Sequence, residues 1–131
     1  MALSPPFSVM DTLTVMAGGA VGAALRLHMV RAIHLWAGAG WPMGTLGVNI
    51  IGSMAMGLLS GFLLRTGAAD AWRLLLGVGV LGGFTTFSAF SLDMMHMLQS
   101  GRWVDATAYA GASVIGSVAA LAAGFALTRL F

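Results

Sequence analysis

The 131-residue sequence contains no cysteine, no lysine and no glutamate. Without cysteine it has no disulfide framework, no thiolate metal site and no cysteine nucleophile. Six Arg and four Asp make up its entire formal charge, 8% of the chain. A soluble domain carries about 25% charged residues, so ten charges cannot cover a water-facing surface. Lipid must be the main solvent. The pI near 10.6 reflects a few Arg over fewer Asp. The Arg residues are scattered, whereas nucleic-acid binding needs them clustered. The first eleven residues lack the basic region of a signal peptide, so the first apolar stretch is expected to stay as a helix.

Apolar residues fill the chain, at 59% and a mean hydropathy of +0.94. A bilayer core about 30 Å thick needs about 20 apolar residues per helix. The charges divide the sequence: 14 uncharged residues lie between Asp11 and Arg26, 33 between Arg31 and Arg65, 19 between Arg73 and Asp93, and 23 between Asp105 and Arg129. The last two segments fit one span each. The 33-residue segment begins with Gly38, Gly40 and Pro42, which read as a loop. The first segment is long enough only if Arg26 enters the membrane. The expectation is a single all-α domain of four spans, at about 12–33, 43–64, 74–99 and 104–128. Short connections make successive helices antiparallel neighbours.

Gly18 and Gly22 form a GxxxG in the first span, and Gly57 and Gly61 form another in the second. This spacing lets helix backbones approach closely in lipid. Arg65, Arg73 and Arg129 fall on one side of such a four-span chain. Arg31 and Arg102 fall on the other, with Arg26 near them. The positive-inside rule needs a clear bias to set orientation, and this bias is close to zero. Insertion in both orientations is therefore a serious hypothesis. Two oppositely inserted copies would pair about an axis in the membrane plane.

Polar groups within spans are costly and face a partner or a watery path. Thr45, Asn49 and Ser53 recur at i, i+4, i+8 on one face of the second helix; Tyr109, Ser113 and Ser117 do the same on the fourth. Ser and Thr can satisfy themselves on their own helix carbonyls. Asn49 cannot, since it has two donors and two acceptor lone pairs to place. In the third span, Gly82-Gly83-Phe84-Thr85-Thr86-Phe87-Ser88 pairs glycines with β-branched residues, and both weaken a helix. A break is expected there, with backbone groups free at membrane depth. Phe87 and Phe90 share a face of this span at i, i+3, with Ser88 beside them. His28, His34 and His96 show no metal-ligand spacing among themselves.

Three strings carry a resemblance to a known family: Gly18 to Arg26 (GGAVGAALR), Gly44 to Asn49 (GTLGVN) with Gly52, and Gly82 to Phe90 (GGFTTFSAF). Tyr109 to Ser117 (YAGASVIGS) fits the fourth helix. On these strings the chain resembles the Fluc/CrcB family of fluoride channels. The resemblance implies an antiparallel, dual-topology homodimer in a bacterial inner membrane, exporting fluoride passively. It implies a structural Na⁺ at the dimer interface, held by the Gly82 and Thr85 carbonyls. It assigns Phe87 and Phe90 to fluoride contact, Asn49 to a pore amide, and Ser113 and Ser117 with Tyr109 to a polar track. Thr45, Ser88 and Arg26 accompany the pore. Asp93 stands near the vestibule in place of the usual Glu, and Gly47 stands where some members have a hydroxyl.

A fluoride pore must replace the ion's water shell, which hydroxyls, an amide and aromatic edges can do, because ring edges are electropositive. Two other readings stay open. A small multidrug-type exporter would need a titratable acid at mid-span, and none is present. A non-transporting membrane assembly subunit would have no need of aligned polar stripes. An enzyme is least supported, since no base, nucleophile or metal constellation exists.

Overall fold

The computed structural model describes residues 8–38 and 40–130. The start of the chain, which lacks the basic region of a signal peptide, lies outside the described residues up to residue 7. Four helices are long and apolar enough to cross a membrane: Val9–Ala37, Met43–Thr66, Asp70–Gln99 and Trp103–Leu127. Every described regular element is helical.

Helix α1 spans Val9–Ala37, longer than the sequence suggests at both ends. Asp11 was taken as a boundary, but it lies in the first turn. There its charge complements the helix dipole, and its amide donates to the Ser8 side-chain oxygen at 3.3 Å. The helix ends where Gly38 adopts φ 74°, a conformation that costs glycine nothing. Gly38 and residues 40–42 lie between the helices, within the expected loop. Helix α2 runs over Met43–Thr66, with Pro42 at its cap. There the missing proline N–H removes no helical bond.

The third span is assembled from unlike pieces. Helix α3 is a single turn, Asp70–Trp72. A π-helical stretch follows at Arg73–Leu81, then the short helix α4 at Gly82–Phe84. Thr85 and Thr86 are extended, with ψ 159° and 123°. Helix α5 then covers Phe87–Gln99, and helix α6 covers Trp103–Leu127.

Both glycine pairs sit at close approaches between helices. A Cβ at Gly18 or Gly22 on α1 would run into the π-stretch, at Leu75 and Val80 respectively. On α2, a Cβ at Gly57 would strike the backbone of α6 at Leu121, and one at Gly61 would strike the Thr128 side chain. Gly124 on α6 returns the contact against Met54 and Leu58. Without a strong hydrophobic drive between helices in lipid, such proximity supplies the packing attraction. At one end of the bundle Arg102 donates to the Gly40 carbonyl at 3.0 Å and to Asp105 at 2.8 Å. At the other end Arg65 donates to the Thr128 carbonyl.

Candidate functional site

Asn49 meets the third span at its extended residues. Its Nδ2 donates to the Thr86 carbonyl at 2.9 Å, and its Oδ1 accepts from the Thr86 amide at 2.8 Å. The carboxamide thus pairs with the N–H and C=O of one residue as a neighbouring strand would. One N–H and one acceptor lone pair remain on Asn49. Thr86 also caps α5, its Oγ1 accepting from the Ala89 amide at 3.1 Å and lying 3.2 Å from Ser88 Oγ.

Those two contacts have a shared result. In a continuous helix the Thr86 amide would bond the Gly82 carbonyl, and the Ala89 amide would bond the Thr85 carbonyl. Asn49 diverts the first amide and the Thr86 hydroxyl diverts the second. The carbonyls of Gly82 and Thr85 are therefore both deprived of their helical donors. Arg26 Nη1 approaches the Thr85 oxygen at 3.5 Å, a long contact. Arg26 thus sits behind the extended residues and does not line either recess described next.

A mid-span recess of about 300 Å³ opens beside the extended residues. Asn49 and Ser53 line it from α2, Phe87 and Phe90 from α5, and Ser113 and Ser117 from α6. Two residues of each polar stripe thus converge on one space. Ser113 Oγ is buried and is the one such side-chain atom without a hydrogen-bond partner among the described residues. Phe87 is 77% exposed in the single chain and stands 5.4 Å from Phe90, ring centre to ring centre.

A second recess, of about 350 Å³, lies at the end of the bundle that holds the 38–42 loop. Thr45, Asp93, His34, His96, Trp41 and Arg102 face it. Tyr109, wholly buried, stands against residues of both recesses. Its hydroxyl donates to Asp93 at 3.2 Å, and its ring packs on Phe90 at 5.3 Å and edge-on to Trp41 at 6.1 Å.

The structure therefore brings Asn49, Ser113, Ser117, Phe87 and Phe90 together. It puts Thr45 and Asp93 on the end recess and Ser88 beside Thr86. A side chain at Gly47 would meet Ile33 on α1 rather than the recess, so the missing hydroxyl there leaves no gap in its lining. The sequence reading overlooked His34, His96, Trp41 and Arg102 at the end recess. The i, i+3 spacing of Asp93 and His96 on α5 was the available signal for one of them.

The family described as CrcB-like protein, Camphor Resistance (CrcB), matches residues 13–125. A protein of Erythrobacter litoralis named fluoride-specific ion channel FluC is 47% identical, covering 100% of this chain and 99% of its own. Proteins of the same name from Phenylobacterium zucineum and Hyphomonas neptunium are each 52% identical over 89% of this chain and 94% of theirs. Matched across all four of its long apolar helices, this multi-pass membrane protein belongs to the CrcB-like family.

Proposed function

We propose that the protein is a passive channel selective for fluoride, exporting the ion from the cytoplasm across a bacterial inner membrane. The observation that carries this reading is the mid-span recess, where the Asn49 amide, the Ser113 and Ser117 hydroxyls and two phenylalanines converge. Relatives of nearly equal length that bear the name fluoride-specific ion channel support it.

A strongly hydrated anion needs donors at each step and several weak sites to keep moving. Ser113 brings an unpartnered hydroxyl, and Asn49 keeps one free N–H. Phe87 and Phe90 offer electropositive edges. Tyr109 and Thr45 continue the polar line to the end recess, which serves as the vestibule, with Asp93 on its wall. An exporter coupled to protons would need a titratable acid at mid-span, and Asp93 instead opens onto the end recess.

The working unit in this reading is an antiparallel homodimer of dual topology. The exposed Phe87 ring then gains cover from a second copy. The near balance of Arg residues between the two ends, three against two, allows both insertions. The third span works as two half-helices separated at Thr85 and Thr86. A structural Na⁺ fits the carbonyls of Gly82 and Thr85, hard neutral oxygens deprived of their helical amides. When bound, it would tie the half-helices together and add positive potential beside the path.

Purified protein in liposomes loaded with fluoride or chloride tests the reading, with efflux followed by ion-selective electrodes. Fluoride efflux without chloride efflux is expected; absence of fluoride-selective flux would refute the channel. Phe87→Ile or Phe90→Ile should each lower fluoride flux at least about tenfold, since removal of a single preorganised electrostatic contact costs about that or more. Wild-type flux in both variants would remove the rings from the pathway. A C-terminal reporter should be found on both sides of the membrane; detection on one side alone would end the dual-topology reading.

A further inference from the structure

We propose that Arg26 is a tethered competitor for the cation site, holding the Thr85 carbonyl when no metal ion is bound and lowering the site's affinity for Na⁺. The inference rests on the proposed cation site. Arg26 adds to that proposal a fixed positive charge at one of the two oxygens concerned.

Arg26 is placed by backbone packing rather than by chance. One turn earlier, Gly22 abuts Val80, and a Cβ there would lie 2.9 Å from the Phe84 amide nitrogen. Gly83 likewise packs against Gly19 and Ala23 of α1. These approaches hold α1 against the residues just before Thr85, so the Arg26 side chain emerges beside the extended segment. It is only partly exposed, and its Nη1 lies 3.5 Å from the Thr85 oxygen.

The Thr85 carbonyl needs a partner, because its helical donor, the Ala89 amide, is taken by Thr86 Oγ1. A guanidinium supplies one and never gives up its charge. At 3.5 Å the contact is too long for a strong hydrogen bond, so it can yield to an ion that binds the same oxygen closely. The same charge then repels that ion. Two unit charges about 6 Å apart at an effective dielectric near 20 repel enough to weaken binding by up to about a hundredfold. In this arrangement Arg26 keeps the carbonyl oriented in the metal-free protein and sets how much Na⁺ is needed to replace it.

The test is the Na⁺ dependence of thermal unfolding of the full-length protein in detergent, with N-methylglucamine as the replacement cation. In wild type the melting temperature should rise with Na⁺ through a defined midpoint. Arg26→Gln should move that midpoint about tenfold or more lower, while Arg26→Lys should leave it within about threefold of wild type, since unit charge sets the repulsion. Wild-type protein labelled with 15N-arginine gives an independent readout that needs no variant. One of its six arginine Nε resonances should shift over the same Na⁺ range. A wild-type Na⁺ response with an unchanged or raised Arg26→Gln midpoint, or with no moving arginine resonance, would overturn the inference alone. No Na⁺ response in wild type would remove the cation site and the inference together.

Discussion

Asn49→Ala is expected to abolish measurable fluoride flux and to destabilise the protein by about 2–6 kcal/mol. The stability loss follows from two backbone groups, the Thr86 N–H and C=O, left without partners at membrane depth. Each such group costs about 1–3 kcal/mol. Asn49 is the partner of both, at 2.8 and 2.9 Å. The flux loss has two sources, the missing amide in the recess and the release of the extended segment that positions Phe87 and Phe90. Asn49→Asp separates them. A carboxylate still accepts from the Thr86 amide but cannot donate to its carbonyl, so part of the stability should return without the flux. Thermal unfolding in detergent and liposome efflux read the two effects. Full stability in Asn49→Ala would show that the Asn49–Thr86 pairing does not hold the extended residues in place.

The second large effect is expected at Gly22→Ala. Its new Cβ would overlap the Val80 carbonyl and approach the Phe84 amide nitrogen at 2.9 Å. Both neighbours are backbone, so no flexible side chain can swing aside. Overpacking in a tight interior costs about 1–3 kcal/mol, occasionally more, and this site belongs at or beyond the top of that range. Gly111→Ala is the matched control. A Cβ there meets nothing within 4 Å, and alanine favours a helix over glycine by about 1 kcal/mol. Unfolding measured side by side should show a large loss for the first and a neutral or small gain for the second. Equal behaviour would mean that α1 does not pack this closely on the third span.

Much of this architecture was legible in the residues. Uncharged runs located four spans, and the GxxxG spacing marked two close approaches. Paired Gly and Thr weaken a helix close to where Thr85 and Thr86 are extended. The i, i+4, i+8 stripes named the two faces that converge on the mid-span recess. What stayed hidden depends on contacts distant in sequence. Nothing in the sequence around Asn49 reveals that its partner is a backbone peptide 37 residues away, because an unoccupied carboxamide and a paired one look alike in sequence. Arg26 was placed with the pore for the same reason, since its approach to Thr85 spans 59 residues. Treating Asp11 as a fence starts the first helix too late, because Asp11 belongs to its first turn, where the helix dipole welcomes it.

The π-helical stretch Arg73–Leu81 left no mark in the sequence, since a run of Leu, Gly and Val reads equally well in either winding. Its wider turns close hydrogen bonds at i→i+5 instead of i→i+4, so each ring holds one residue more than an α-helix would use. The third span therefore carries slack in its length. Loss of one residue inside the stretch can be absorbed by local rewinding, leaving Thr86 beyond it still in phase with Asn49. The same loss inside α2 or α6 would turn everything beyond it by about 100°, one residue's share of a 3.6-residue turn, and carry half of a polar stripe away from its partner. Among the four spans, the one that contains extended Thr85 and Thr86 is thus also the one whose length is least rigidly prescribed.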